Sequence, residues 1–193
     1  KKWFDMHPMG KIKLPLVHKN DRKDLSQYAI DLTNLNHVSP THKWVSEAGQ
    51  WEHAVQSYLA SVTFADHCLG LVLDALESSA YGKNTVIALF SDHGFHLGEK
   101  ERWAKRTLWE DGTRVPIIVS APGYKKNQKS DRPAELLDVF PTLLELAGLP
   151  ADSSQEGQSL TPLMKDPKRE WNHPAITSFG LGNYSVRTTR YRF

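Results

Sequence analysis

The sequence feature that most constrains the fold is a continuous apolar run at residues 85–90, TVIALF, which follows a long amphipathic segment. An apolar run without alternation is typical of a strand that is buried on both faces of a parallel sheet. From about residue 47 to residue 76, apolar side chains recur at steps of three and four, which predicts one long helix. Tyr81 and Gly82 are expected to end it. The pattern predicts a helix that leads into a central strand of a parallel sheet.

Further elements follow along the chain. A second apolar run lies at residues 115–120, after a short helical stretch near residues 108–111. Residues 138–148 predict another helix, with Asp138 as its cap, Pro141 near its start and Gly148 at its end. Alternating helices and strands predict an α/β sandwich, with a mostly parallel central sheet flanked by helices.

The two ends of the chain differ from this middle part. Residues 1–45 read as irregular segments, and residues 149–172 as a surface loop. Residues 175–179 and 185–193 predict two short antiparallel strands around a turn at residues 180–183. We therefore divide the chain into an α/β domain at 1–172 and the start of a small antiparallel subdomain at 173–193. The first residue is not methionine, and we expect the chain to be a segment of a longer protein.

Composition excludes several classes of partner. The chain of 193 residues has a net charge of only +2, with both signs interspersed, which argues against a nucleic-acid or anionic-membrane surface. We found no apolar stretch near the roughly 18 residues of a membrane span, and we expect no membrane partner. The single cysteine, Cys68, excludes an intrachain disulfide.

The candidate site begins at the end of the first apolar strand, with Asp92 and His93. Ligands bind at the carboxyl ends of parallel strands, and a carboxylate beside an imidazole suits a divalent cation once Gly94 lets the chain bend. Lys105, in the following loop, is the candidate for an ammonium that meets an anion on the same metal. On the residues alone, a strand-end cap for the pair and a solvated lysine remain the alternatives.

Two neighbours of the pair are candidate substrate-binding residues. Phe95 and His96 follow it directly and are placed to line the mouth of a pocket. For His96, a surface position is the alternative interpretation.

Six short motifs follow one another along the chain. They are SDHG at 91–94, LGE at 97–99, WAK at 103–105, RVPI at 114–117, APG at 121–123 and DVFPTLLELAG at 138–148. In this order and spacing they resemble the later half of a type I sulfatase of the iduronate-2-sulfatase and choline-sulfatase branch of the alkaline phosphatase superfamily. The resemblance implies an alkaline-phosphatase-like sandwich, of which this chain holds only a part. It also implies a hydrolase that acts on sulfate esters of sugars or similar small molecules.

The resemblance assigns roles to individual residues. It implies that Asp92 and His93 are the later pair of metal ligands, normally for calcium, and that Lys105 contacts the sulfate ester near its leaving oxygen. On chemical grounds alone, an imidazole ligand leaves manganese, magnesium or zinc open. The family also implies a periplasmic, secreted or lysosomal location, although the signal region is not present in this chain.

One part of the family pattern is missing. Type I sulfatases use a formylglycine that is made from the Cys or Ser of a Cys/Ser-x-Pro/Ala-x-Arg motif. Residues 68–72 do not fit this motif, and residues 120–124 have Tyr124 where arginine is needed. We therefore expect the formylglycine in a missing N-terminal part, and we expect the isolated segment to be inactive. The alternatives are a phosphonate or phosphodiester hydrolase of the same superfamily, and a non-catalytic protein that keeps the fold.

Overall fold

A computed structural model of the chain describes residues 1–34 and 39–193. The part of the N-terminal segment at residues 35–38 lies outside the described residues. The chain forms two compact units, the first from Lys1–Ala80 with Gly94–Gly112 and the second from Tyr81–His93 with Thr113–Phe193. The division that we drew at residue 172 stays a prediction.

The described residues contain seven α-helices, six β-strands and two single turns of 3₁₀ helix at Glu99–Glu101 and Leu136–Asp138. The helices are α1 (Lys2–Asp5), α2 (Gln27–Thr33), α3 (His42–Glu47), α4 (Trp51–Glu77), α5 (Glu110–Thr113), α6 (Val139–Leu146) and α7 (Thr161–Lys165). The strands are β1 (Ile87–Phe90), β2 (His96–Leu97), β3 (Trp103–Ala104), β4 (Ile117–Ser120), β5 (Ala175–Ser178) and β6 (Tyr184–Arg187).

The N-terminal segment is more ordered than its sequence predicts, because it holds the short helices α1, α2 and α3. Two of them have serine or threonine caps: the Ser26 hydroxyl accepts a hydrogen bond from the backbone of Ala29, and the Thr41 hydroxyl accepts one from Trp44, both at 3.2 Å. Such caps satisfy amide groups that a helix start leaves free. These helices are too short to show an apolar period, so the expectation of irregular structure was wrong there.

The long helix α4 confirms the amphipathic prediction, although it ends at Glu77, before Tyr81. Within the first unit, α1 packs on it through Trp3, whose ring lies 5.7 Å from Phe64 and 4.9 Å from His67. The Gln56 side chain of α4 also donates a hydrogen bond of 2.7 Å to the carbonyl of His7. A polar contact and an aromatic contact therefore fix the N-terminus on this helix.

In the part of the chain that the structure describes, α4 is long and apolar enough to cross a membrane. Its most apolar window of 18 residues has a mean hydropathy of 1.4, and 6% of that window is buried. Our expectation that no segment reaches this length and composition was wrong. The finding is weak evidence for a span, since core helices of soluble proteins pass the same test.

The second unit contains the two predicted apolar strands, but they pair antiparallel. In register, Ile87 lies opposite Ser120 and Phe90 opposite Ile117. The prediction of parallel strands is therefore wrong for this pair. An apolar run indicates burial but carries no strand direction, and a parallel pair needs a crossover that is usually a helix. The only α-helix between β1 and β4 is α5, which has four residues.

Burial of the strands also differs from the expectation. Phe90 and Ile118 are about half exposed, at 48% and 57%, so these strands are not covered on both faces by the described residues.

Helix α6 confirms the prediction for residues 138–148. Pro141 lies in its first turn, and Gly148 follows its end with a φ of +68°, which favours glycine. The predicted cap is wrong in detail, because the Asp138 side chain makes no hydrogen bond to the start of α6. Its carboxylate instead accepts hydrogen bonds from the backbone amides of Glu135 and Gln158, at 2.8 and 2.7 Å.

The buried core of the second unit includes residues in and next to α7. Leu160, Leu163 and Trp171 are buried together, and Ile117 of β4 packs against them. The predicted terminal hairpin is present as β5 and β6, which pair antiparallel. Its second strand is shorter than expected, because the chain turns back after β6 and the backbone of Phe193 bonds to Val186.

Thr142 of α6 offers a test of this packing. It is fully buried, and its hydroxyl donates to the carbonyl of Asp138 at 2.6 Å and accepts from the amide of Leu160 at 2.8 Å. We expect Thr142→Val to lower the free energy of unfolding by about 1–3 kcal/mol, because it leaves a buried amide without its partner. Thr177→Val in β5 is the matched control and should be nearly neutral. Equal effects of the two changes in urea denaturation would contradict this assignment.

Candidate functional site

Asp92 and His93 lie in the second unit, directly after β1. Their side chains come together, with the His93 Nε2 atom 3.5 Å from the Asp92 Oδ2 atom. The Asp92 side chain is 81% exposed and that of His93 31%. The separation is too long for a good hydrogen bond and is suited to two ligands of one cation. This donor set of one carboxylate oxygen and one imidazole nitrogen fits a divalent metal as part of its coordination shell.

Gly94, the next residue, is required by close approach. A Cβ atom at this position would lie 2.0 Å from the carbonyl oxygen of Asp111, and the Gly94 amide donates to the carbonyl of Gly112 at 3.0 Å. The φ angle of Gly94 is not positive, so its backbone conformation alone does not require glycine. Glycine at this position therefore has a steric reason in addition to the predicted bend, since any side chain would collide with backbone.

Lys105 belongs to the first unit, where it follows the second strand of a small hairpin. β2 and β3 pair antiparallel, with Leu97 opposite Trp103. Two tryptophans attach this hairpin to the helices: the Trp51 Nε1 atom donates to the carbonyl of Leu97 at 2.7 Å, and the Trp103 Nε1 atom donates to His42 at 3.2 Å. Trp103 is almost fully buried, so the residue two positions before Lys105 is anchored.

The loop around Lys105 has an unusual backbone. Four residues other than glycine have positive φ, and they are Lys100 (51°), Glu101 (56°), Ala104 (62°) and Arg106 (69°). Each such conformation costs on the order of 1 kcal/mol for a residue with a Cβ atom. Strain of this kind persists only where surrounding contacts hold it, and it clusters at functional sites. Ala104 and Arg106, which flank Lys105, both have a positive φ.

Ionic and buried contacts hold this loop in place. The Lys100 ammonium lies 3.1 Å from the carboxylate of Asp21, and the Arg22 guanidinium pairs with Glu101. Arg102 is almost fully buried and donates a hydrogen bond of 3.1 Å to the backbone carbonyl of Lys105.

Sequence reasoning missed Arg102 as a positioning residue. Its guanidinium also donates to the hydroxyl of Ser39 at 2.9 Å. Burial lowers the pKa of Arg102, and the nearby charge of Arg106 lowers it further. No local pattern in the sequence distinguishes this arginine from its charged neighbours, because its role depends on contacts across the fold.

The two predicted substrate-binding residues also lie in the first unit. Phe95 is half-buried and stacks on Tyr58 with ring centroids 5.1 Å apart. His96 has no exposed surface, and its Nε2 atom lies 2.8 Å from the hydroxyl of Thr107. Burial lowers the pKa of His96, against the opposing effect of the Asp111 carboxylate. His96 is thus buried by the described residues, and the substrate-binding roles of Phe95 and His96 both stay predictions.

Comparison with known proteins places this arrangement in one family. The model of the family described as Sulfatase matches residues 15–149, a range that includes α4, Asp92, His93 and Lys105. A protein named sulfatase from Formosa agariphila is 41% identical over 192 residues, covering 100% of this chain and 38% of the relative. A Δ4,5-hexuronate-2-O-sulfatase from Bacteroides thetaiotaomicron is 26% identical, covering 95% of this chain and 40% of the relative.

A solved structure supports the same conclusion. It was determined in complex with its substrate, D-glucosamine-2-N,6-O-disulfate, and it matches with a TM-score of 0.66 at 28% identity, over 74% of this chain and 31% of that one. The structural neighbours define the class as the alkaline-phosphatase-like fold. Within that class, the chain belongs to the sulfatase family. It spans about two fifths of the length of the curated relatives, at 38% and 40%.

The strained backbone before Lys105 predicts an unusual response to glycine. We expect Ala104→Gly to leave the free energy of unfolding unchanged or to raise it by up to about 1 kcal/mol, since it removes the steric cost of the positive φ. The matched control is Ala75→Gly on the exposed face of α4, which should cost about 1 kcal/mol. Thermal unfolding of both variants measures the contrast, and an equal loss in both would argue against strain at Ala104.

The burial of His96 predicts sensitivity to acid. Its folded-state pKa is below the ordinary value of 6.5, so the unfolded chain binds the proton first as the pH falls below 6.5. The free energy of unfolding should then decrease from pH 6.5 downward until the folded-state pKa is reached, by at most about 1.4 kcal/mol per pH unit for this residue.

His96→Gln should flatten this dependence without removing it. Part of the slope remains because burial also lowers the pKa of His42. The exposed His53 provides the control, as His53→Gln should keep the wild-type slope. Denaturation at a series of pH values measures the slopes, and an unchanged slope in His96→Gln would refute the assignment.

Proposed function

We propose that the protein containing this chain hydrolyses sulfate esters, with Asp92, His93 and Lys105 as the part of the site that this chain supplies. The observation that carries the proposal is the paired Asp92 and His93 after β1, in a chain that belongs to the sulfatase family. The constrained loop before and after Lys105 supports a functional position for this lysine.

The sulfatase family implies a divalent metal. We propose Ca²⁺ as that metal, with the Asp92 carboxylate and the His93 imidazole as two of its ligands. Family resemblance favours calcium, whereas the imidazole nitrogen alone suits softer divalent ions equally well. A divalent cation supplies Lewis-acid stabilisation of charge on the ester oxygens.

The backbone of Lys105 is held in place. Its backbone carbonyl accepts a hydrogen bond from the buried Arg102, which restricts where the side chain starts. We propose that the ammonium contacts the sulfate ester and offsets the negative charge that develops on the leaving oxygen.

We propose that the nucleophile is supplied by residues outside these 193. No Cys/Ser-x-Pro/Ala-x-Arg motif occurs in these 193 residues. We propose that a formylglycine outside these residues would add water to form a geminal diol, one hydroxyl of which would supply the nucleophile, and that the 193 residues alone do not turn over substrate.

A sulfated saccharide is the substrate class that we propose. The support comes from relatives, one named a hexuronate 2-O-sulfatase and one solved with a disulfated glucosamine. A periplasmic, secreted or lysosomal location accords with such a substrate and is part of the proposal.

Activity of site variants in the full-length protein tests the proposal. We expect Asp92→Asn and Lys105→Ala each to lower kcat/KM on a sulfated monosaccharide by about 100-fold or more, because each removes a charge that stabilises the transition state. Lys83→Ala, at an exposed position before β1, should leave the rate unchanged. Wild-type turnover in both site variants would refute the assignment, and faster hydrolysis of a phosphodiester than of the sulfate would favour the related hydrolase class.

A further inference from the structure

A second group of possible metal ligands lies in the second unit and shares no residue with the Asp92 and His93 pair. It consists of Glu135, Asp138 and His173, each of which offers one ligand atom, and these atoms all lie within 4.8 Å of one another. Glu135 and Asp138 come from the turn before α6, and His173 precedes β5. In the sequence analysis, Asp138 was predicted to cap α6, and His173 was given no role.

Backbone amides orient both carboxylates. The Glu135 Oε1 atom accepts a hydrogen bond from the amide of Ile176 at 2.5 Å, which leaves Oε2 directed at His173. The Asp138 Oδ2 atom accepts from the amide of Glu135, and Oδ1 accepts from Gln158 while also facing His173. Backbone hydrogen bonds therefore orient each carboxylate, and each still has one oxygen near the His173 Nε2 atom. Metal ligands in proteins are commonly oriented by hydrogen bonds of this kind.

The imidazole of His173 completes the group. Its Nε2 atom is buried, has no hydrogen-bond partner, and lies 3.4 Å from both the Glu135 Oε2 and the Asp138 Oδ1 atoms. Charge-assisted hydrogen bonds between such groups are shorter, at about 2.7–2.9 Å. In a tetrahedral zinc site with bonds of about 2.0–2.1 Å, neighbouring ligand atoms are about 3.3–3.4 Å apart. The two observed distances of 3.4 Å therefore match the spacing between ligands of one metal ion better than the length of a hydrogen bond.

The ring of His173 is also held in position. Trp171 contacts it edge to face, with centroids 6.0 Å apart, and the Trp171 Nε1 atom donates to the carbonyl of Pro133 at 2.9 Å. This tryptophan belongs to the buried core with Leu160 and Leu163. A rigid core therefore determines where the ligand nitrogen points.

Charge balance favours a dication at this point. Asp138 is fully buried, and within the described residues neither it nor Glu135 is paired with a lysine or arginine. A protonated His173 would offset one of the two negative charges. A divalent cation offsets both and takes the neutral imidazole as a ligand. Leaving a buried carboxylate without a full partner is costly.

We propose that Glu135, Asp138 and His173 bind a divalent metal of the Zn²⁺ class at a structural site. The nitrogen ligand and the short separations favour zinc over calcium, which prefers a larger shell of oxygen atoms. The bound ion joins the turn before α6 to the start of β5, two segments that are distant in sequence. It binds the folded protein only, so it stabilises the fold in proportion to its occupancy.

Zinc titration of the full-length protein tests the site. The His93→Gln background is used throughout, so that the other candidate pair does not contribute. We expect one equivalent of Zn²⁺ to bind by calorimetry, and the melting temperature to rise with Zn²⁺ concentration but not with Ca²⁺. His173→Gln should weaken Zn²⁺ binding by about 100-fold or more and abolish the rise.

Two further variants make the result decisive. Glu135→Gln changes a side chain that is 11% exposed, where folding is less at risk than at the fully buried Asp138, and should also weaken Zn²⁺ binding. His53→Gln, on the exposed face of α4, should bind Zn²⁺ like the background protein. If Zn²⁺ does not raise the melting temperature, or raises it equally in His173→Gln, the group is an ion pair without a metal and the proposal is overturned.

Discussion

The attachment of the short β2–β3 hairpin to the helices is the constraint on which the rest of the candidate site depends. Trp51 and Trp103 hold its two strands through hydrogen bonds from their indole nitrogens, and the buried Arg102 holds the carbonyl of Lys105. These contacts stabilise a backbone with several positive φ values that would not persist in an isolated loop. The position of the lysine is therefore a property of the whole first unit.

Burial of polar groups is used in both units to set geometry. In the first unit, His96 and Thr107 are both buried, and the His96 Nε2 atom is hydrogen-bonded to the Thr107 hydroxyl. In the second, the fully buried Asp138 accepts two backbone hydrogen bonds that a capping residue on a helix surface would not make. Such groups are costly to bury unless each is satisfied, so they specify one arrangement of their surroundings.

Family membership connects these features to chemistry. The Sulfatase match includes α4, so the apolar composition of this helix is that of an element of the sulfatase domain. The same match includes Asp92, His93 and Lys105. The chain spans 38% of the length of its relative from Formosa agariphila, so the activity of a whole sulfatase is a proposal for it.

Patterns that depend on neighbouring residues could be predicted from the sequence alone. The period of α4, the apolar runs of β1 and β4, the glycine after α6 and the adjacent Asp92 and His93 are all local, and the structure contains them. The short helices α2 and α3 carried readable signals in Ser26 and Thr41, but they were too brief for a period to develop.

Only the tertiary structure decided the features that join distant residues. It determined that β1 and β4 run antiparallel, that Gly94 is required by the backbone of Asp111, and that Arg102 supports Lys105. It also brought His173 to two carboxylates from a turn far earlier in the chain. The physical reason is the same in each case: local sequence sets the conformation and polarity of a segment, whereas strand direction, close approach and ligand sets depend on packing against segments far away in the chain.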